Sequence, residues 1–257
     1  MAKMAKKITE RQARILAAIV KEYSNSGEPI GSEEIQDKYD FGVSSATIRN
    51  EMVALEKSGY IEQPHTSAGR VPTDIGYRYF VSELMKRFEM SLKEQKLLRQ
   101  QLSELHQEHQ EFGKRIARLL AQKTEQAAFA LLPEEASSAG LSNIFQSASF
   151  QNTNAGKQDM VEMVQFFENI DEYAGKMLTK FLSEKPEALI GSEHHLPQIS
   201  NYSLIVSKVN LPDGKTGLIG IIGPKSMRYD KNISVVDYFS KFLSSGMAIA
   251  LLIHWRF

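Results

Sequence analysis

The order of short helices and turns in the first 88 residues constrains the fold more than any other feature of the sequence. Thr9, Ser32 and either Ser44 or Ser45 stand where three helices are predicted to begin, since these residue types cap helix N-termini. A short strand pattern and a loop then lead to a second, returning strand. Two helices, a turn, a third helix and a β-hairpin follow the order of a winged helix-turn-helix. We therefore predict that residues 1–88 form a DNA-binding domain.

The third predicted helix has two faces of opposite character. At about 100° per residue, Ile48, Met52 and Leu55 share an apolar face that would pack on the first two helices. The opposite face carries small and hydrogen-bonding side chains, and asparagine can read adenine while arginine reads guanine. An ordinary solvated face is the alternative interpretation. We predict base contacts from Arg49 and Asn50, and further DNA contacts from Ser44, Ser45, Ala46, Thr47 and Lys57.

The predicted hairpin loop has the composition expected of a wing that touches DNA. Residues 63–73 contain no acidic side chain and several hydrogen-bond donors. The chain as a whole supplies no broad basic field, because 31 lysines and arginines balance 31 aspartates and glutamates. DNA binding would therefore depend on individually placed contacts, although a plain polar turn also fits this loop. The predicted wing contacts are His65, Thr66, Ser67 and Arg70.

A polar helical stretch, residues 89–126, is predicted to link the first domain to the rest of the chain. Its apolar residues, together with His109, recur at alternating spacings of four and three, as in a heptad seam. Two interpretations fit this pattern: an amphipathic helix packed on its own domain, or a helix pair that joins two copies of the chain. The residues that would form the dimer seam are Leu98, Leu102, Leu105, Phe112, Ile116 and Leu119.

The C-terminal half, residues 127–257, mixes helices and strands without regular βαβ alternation, which favours an α+β domain. Residues 137–154 are rich in serine and asparagine and are predicted to be mostly loop. A hairpin turn is expected around Pro212-Asp213-Gly214. We predict strands at 127–132, 189–190, 203–209 and 217–222, and helices at 159–181 and 234–254.

Several runs of residues match the signatures of one known family. They are residues 27–32, 42–52, 55–56, 59–60, 63–74 and 76–79, with 190–191, 220–224 and 227–229 nearer the C-terminus. In these runs the sequence resembles the HrcA family of bacterial heat-inducible transcription repressors. The resemblance extends over almost all of the first 88 residues, and it is most distinctive in the predicted wing.

The resemblance implies a homodimer that binds an inverted-repeat operator in double-stranded DNA, represses chaperone operons and releases them under heat stress. It also implies that the chaperonin modulates the repressor, and that a GAF-like domain follows the winged helix. This sequence departs from the family after Leu132-Pro133, where the usual strand-rich inserted segment is not found. We therefore expect a shortened form that lacks most of the inserted dimerisation segment.

Other functional classes find little support in the sequence. The chain has no cysteine, and His106 with His109 lacks a third metal ligand, so we expect neither a metal nor a cofactor. No nucleophile elbow, phosphate-binding loop or carboxylate pair stands out, so we expect no enzyme activity. No apolar stretch suits a signal peptide or a membrane span, which favours a cytoplasmic protein. Two alternatives remain: a regulator gated by a small molecule in the GAF-like domain, and a folding client whose C-terminal half chiefly contacts the chaperonin.

Overall fold

The winged helix-turn-helix predicted for the N-terminus is present in the computed structural model. Helices α1 (Glu10–Ser26), α2 (Ser32–Lys38) and α3 (Ser45–Lys57) precede two strands, β1 (Ile61–Glu62) and β2 (Val71–Pro72), which pair antiparallel. The structure describes residues 8–65, 68–86, 88–105, 112–133, 135–146, 157–211 and 214–245.

The helix caps of this domain agree with the sequence at two of three positions. Thr9 caps α1 as predicted and forms a capping box with Gln12, and Ser44 caps α3 by accepting a hydrogen bond from the Thr47 amide. The prediction for α2 is wrong by one residue, because Gly31 is its N-cap and makes no side-chain cap bond. Ser32 is already helical and is buried, so its hydroxyl does not take the capping position.

The segment after the wing contains more helices than the sequence predicted. Helix α4 (Asp74–Tyr79) runs into a single π-helical turn, Phe80–Leu84. The single linking helix expected at 89–126 is instead two helices, α5 (Leu92–Leu105) and α6 (Phe112–Thr124). These two helices contact each other, which two parts of one straight helix cannot do.

The C-terminal half is an α+β domain, as predicted, and it is built on one antiparallel sheet. Its five strands lie in the order β4-β3-β7-β6-β5, and each neighbouring pair is antiparallel. Their bounds are β3 (Ala127–Leu132), β4 (Glu135–Ala139), β5 (Glu187–Ile190), β6 (Tyr202–Asn210) and β7 (Thr216–Pro224).

The prediction that residues 137–154 are mostly loop is wrong for the part that the structure describes. Most of β4 and all of helix α7 (Leu141–Gln146) fall within it. Strand β4 is an edge strand whose small serines and alanines give no clear apolar alternation, and only its pairing with β3 reveals it.

Helices cover both faces of the sheet. Helix α6 and the last described helix, α10 (Tyr229–Ser244), share one buried cluster with Ala128, Ile205 and Ile221. On the other face, α8 (Lys157–Glu168) and α9 (Ile170–Lys180) pack with α7 around Phe129 and Leu204. Among the described residues, no helix has the length and apolar character needed to cross a membrane.

Candidate nucleic-acid interface

Helix α3 presents the face that the sequence predicted for DNA contact. Ile48, Met52 and Leu55 are buried where α3 packs on α1 and α2. On the outward side, the side chains of Ala46, Arg49, Asn50 and Lys57 are exposed. Within the described residues, Arg49 and Lys57 form no ion pair. An exposed asparagine and arginine one position apart can both reach the edges of bases in a major groove.

The start of α3 is suited to phosphate contact. Ser44 is exposed, and its hydroxyl accepts a hydrogen bond from the Thr47 amide at 3.4 Å and lies 3.2 Å from the Thr47 hydroxyl. Ser45 and Thr47 are half-buried beside it. The first amide groups of a helix have no acceptor within the helix, and the helix dipole favours an anion there. The three predicted hydroxyl contacts therefore surround a helix N-terminus.

The two acidic residues of α3 are both held by cations of neighbouring elements. Glu51 accepts hydrogen bonds from Arg11 and Gln12 of α1, at 2.7 Å from Arg11 Nη2 and 2.9 Å from Gln12 Nε2. Glu56 forms an ion pair with Arg70 of the wing, at 3.0 Å from Nη2. These pairs offset the negative charge of the helix, so the outward face is cationic. The sequence does not reveal the role of either glutamate, because their partners become neighbours only in the folded domain.

The wing is held closely to the body of the domain. Gln63 Nε2 donates to the carbonyl of Ala68 at 2.9 Å and so closes the loop. The backbone of Arg70 pairs with Ile30 through two hydrogen bonds, of 2.9 and 3.0 Å. A Cβ at Gly69 would lie 2.4 Å from the Ile30 carbonyl carbon, so only glycine permits this close approach. These contacts fix the direction in which the wing extends from the domain.

The predicted wing contacts have different surroundings. His65 is exposed near the loop end, while Thr66 and Ser67 lie outside the described residues. Arg70 is only 17% exposed in its side chain, and its guanidinium is bound to Glu56. In this structure Arg70 therefore joins the wing to α3, and its contact with DNA stays a prediction. Gln63, which shapes the loop, was not singled out from the sequence.

The winged helix is joined to the C-terminal domain through Arg78 of α4. Its Nε donates to Glu193 Oε1 at 2.9 Å, a second nitrogen also contacts the Glu193 carboxylate, and that nitrogen donates to the Ala188 carbonyl at 2.6 Å. The Ile190 amide donates to the same carboxylate at 2.7 Å. Burial acts to raise the pKa of Glu193, but the bonds from Arg78 and Ile190 outweigh it and lower that pKa.

A second ion pair and two tyrosines lie beside the Arg78–Glu193 pair. We call this contact between the two domains, formed by Arg78 with Glu193, Lys225 with Asp74, and Tyr77 with Tyr229, the interdomain joint. Lys225 Nζ lies 2.8 Å from the Asp74 carboxylate, and a Cβ at Gly191 would lie 2.5 Å from that carboxylate. The rings of Tyr77 and Tyr229 lie 6.1 Å apart, and burial raises the pKa of both. Three of the runs that resemble one family, at 76–79, 190–191 and 227–229, therefore meet at one place in the fold.

The predicted dimer seam lies largely inside the monomer. Leu98, Leu102 and Ile116 are each at most 1% exposed, and Leu119 is 8% exposed, all within the chain's own core. Phe112 packs half-buried against the same core, and the side chain of Leu105 lies outside the described residues. This burial is what the first interpretation predicts, namely an amphipathic stretch packed on its own domain.

The described part of the chain offers no arrangement that suits metal binding. No group of three histidine, aspartate or glutamate side chains there could hold a metal ion. His106 and His109 lie outside the described residues.

Comparisons with known proteins match both halves of the chain. A family model described as the HrcA protein C-terminal domain matches residues 72–233, and one described as the LexA DNA binding domain matches residues 5–69. A crystal structure described only as that of a hypothetical protein has a TM-score of 0.69 and 20% identity, and the match covers 94% of this chain and 98% of that one. This likeness shows a shared fold.

Two relatives named as heat-inducible transcription repressors point to the same family as the family models. A heat-inducible transcription repressor HrcA from Desulforamulus reducens is 49% identical over 127 residues, which cover 49% of this chain and 37% of that protein. The one from Herpetosiphon aurantiacus is 26% identical, and the match covers 93% of this chain and 95% of that protein. That alignment is 342 positions long, so the relative carries residues that this chain of 257 lacks.

Proposed function

Because the chain belongs to the HrcA family, we propose that it is a transcription repressor that binds an inverted-repeat operator of chaperone operons in the cytoplasm. The observation that carries this proposal is the outward face of α3. Arg49 and Asn50 are exposed there, and the two glutamates of the same helix are bound by Arg11 and Arg70. A cationic face with hydrogen-bonding side chains suits entry into a major groove.

The contacts divide into two kinds. Asn50 and Arg49 would read bases, since each can form two hydrogen bonds with a base edge. Ser44, Ser45 and Thr47 at the helix start would bind phosphate, and Lys57 at the other end would contact the flanking backbone. Phosphate contacts set the position of the protein on DNA, and base contacts select the sequence.

We propose a homodimer because the two halves of an inverted repeat require two recognition helices. Leu98, Leu102, Ile116 and Leu119 are buried within one chain, so the dimer interface would use another surface. The family's inserted dimerisation segment is expected to be missing here, and the alignment with the relative from Herpetosiphon aurantiacus is longer than this chain. The oligomeric state of the chain therefore has to be measured together with its DNA binding.

Release under heat stress and modulation by the chaperonin are proposed from the family. A chaperonin that helps the chain reach its native state raises the concentration of repressor able to bind the operator. Heat-damaged proteins that occupy the chaperonin would lower that concentration. A purified chain that refolds fully without chaperonin and keeps its operator affinity would contradict this part of the proposal alone.

A fluorescence anisotropy titration tests DNA binding directly. The full inverted repeat, a single half-site and a scrambled duplex are compared at two salt concentrations. We expect much tighter binding to the full repeat, with a salt slope set by the number of phosphate contacts. Equal weak binding to all three duplexes would contradict the proposal of a sequence-specific dimer.

Two variants assign the roles of the α3 side chains. Asn50→Ala should reduce the binding free energy for the operator by about 1–3 kcal/mol and change the binding of scrambled DNA little. Lys57→Ala should weaken binding to both duplexes by the same factor. Lys241→Ala is a matched control, because Lys241 is an exposed cation that pairs with Asp237 on α10. Equal losses on both duplexes for Asn50→Ala would refute its role in reading bases.

A further inference from the structure

A cleft of about 620 Å³ lies between the winged helix and the C-terminal domain, next to the interdomain joint. Helix α1 and the turn after α2 form one wall, and the segment Phe80–Lys86 and the start of α10 form the other. Small-molecule sites commonly have about 300–1,000 Å³ and lie between domains. We propose that this cleft binds a small amphipathic anion, a molecule with an apolar body and one carboxylate.

The walls of the cleft supply the apolar part of the site. Ala17 of α1, the rings of Tyr39 and Phe41, and Leu84 line one continuous space with Met227. The Tyr39 hydroxyl donates to Glu22 at 2.6 Å, so the polar end of this ring already has a partner. A ligand in the cleft would therefore meet the apolar part of this side chain. Burial of an apolar body against these side chains is favourable in proportion to the area removed from water.

The charges that line the cleft are predominantly positive. Four cations line it, Arg14, Lys21, Lys86 and Arg228, against the two acids Asp40 and Asp230. Asp230 lies 3.6 Å from Arg228, so these two charges offset each other, and Arg14, Lys21 and Lys86 then stand against Asp40, which accepts from the Gly42 amide at 2.9 Å.

The cations stand beside the aromatic walls. The Arg14 guanidinium lies 5.0 Å from the centre of the Phe41 ring, and Lys21 Nζ lies 5.9 Å from the centre of the Tyr39 ring. Lys86 is exposed and forms no ion pair with any described residue. An anionic head would therefore meet cations while its apolar body lies against the rings. A cationic ligand would be repelled, and a neutral one would leave the positive charge without a partner.

This arrangement gives the ligand a structural effect. The lining residues come from both domains, so a bound anion contacts the winged helix and the C-terminal domain at once. Because binding to the native state stabilises it, the ligand raises the melting temperature of the docked arrangement. Binding itself does not depend on the DNA-binding function. Failure of the operator titration and failure of ligand binding are therefore separate outcomes.

Isothermal titration calorimetry of the full chain with octanoate tests the proposal. Octanol, which has the same apolar body without the charge, and acetate, which has the charge without the body, are the comparison ligands. We expect octanoate to bind at one site and to raise the melting temperature, and both comparison ligands to bind at least tenfold more weakly. Equal binding of octanoate and octanol would overturn the assignment of an anion site.

Variants locate the site. The double variant Lys86→Gln/Arg228→Gln should weaken octanoate binding about tenfold, since each exposed cation contributes a factor of about three. Lys231→Gln is the matched control, because Lys231 lies near the start of α10 and pairs with an acid, Glu125, as Arg228 does with Asp230, but it does not line the cleft. Ala17→Trp should fill the apolar wall and abolish binding. Unchanged affinity in both cleft variants would overturn the proposal.

Discussion

Replacement of Arg78 by methionine tests the interdomain joint. The change removes the two contacts to the Glu193 carboxylate and the 2.6 Å hydrogen bond to the Ala188 carbonyl, and it keeps an apolar stem of similar length. Both charged side chains are 37% exposed, so water screens the ion pair, which then contributes about 1 kcal/mol. The bond to the carbonyl adds about 1 kcal/mol. We expect the free energy of unfolding to fall by about 2 kcal/mol.

Urea denaturation of the single and double variants measures this loss. Glu193→Gln alone should cost about 1 kcal/mol, and the double variant should cost little more than Arg78→Met, so the cycle should give a coupling energy of about 1 kcal/mol. Hydrogen exchange of the α4 amides should become faster in Arg78→Met, because the joint opens without global unfolding.

Arg118→Met is the control for the loss of a surface arginine. Arg118 is exposed on α6, and its replacement should change stability by less than about 0.5 kcal/mol. A coupling energy near zero would refute the reasoning, since the ion pair would then add nothing to the contact of the domains. An unchanged rate of hydrogen exchange at the α4 amides in Arg78→Met would also refute it.

Three further changes test other parts of the structure. Leu102→Ala should lower the free energy of unfolding, measured by urea denaturation, by about 3 kcal/mol, because removal of this fully buried side chain leaves a cavity. If the variant instead sedimented as a monomer while the original chain sedimented as a dimer, that result would support the dimer seam. Burial lowers the pKa of His194, so the unfolded state binds protons more readily, and stability should fall as the pH drops below about 6.5. His194→Gln should flatten that decrease, and an equally steep decrease in the variant would assign it to other groups. Thr9→Ala should lower the free energy of unfolding by about 1 kcal/mol through loss of the capping box, and an unchanged melting temperature would contradict that role.

The sequence by itself determined the elements of the winged helix and the outward residues of its third helix. Thr9 and Ser44 act as caps, Gly27 ends α1 in the left-handed conformation, and the apolar spacing of Ile48 and Met52 places Asn50 on the opposite side. Each of these signals depends on residues within about four positions of one another, so the local backbone decides them. The longer strands of the C-terminal sheet were predicted for the same reason, because each contains a short run of apolar residues.

Only the tertiary structure decided which side chains meet across the fold. Arg78 and Glu193 are 115 positions apart, and Glu56 meets Arg70 only because the hairpin returns to α3. The spacing of Leu98 and Leu102 fitted either a dimer seam or a monomer core, because a heptad pattern shows that a face is buried but not what covers it. Periodicity reports the conformation of a segment, whereas the partner of a buried or charged side chain depends on the path of the whole chain.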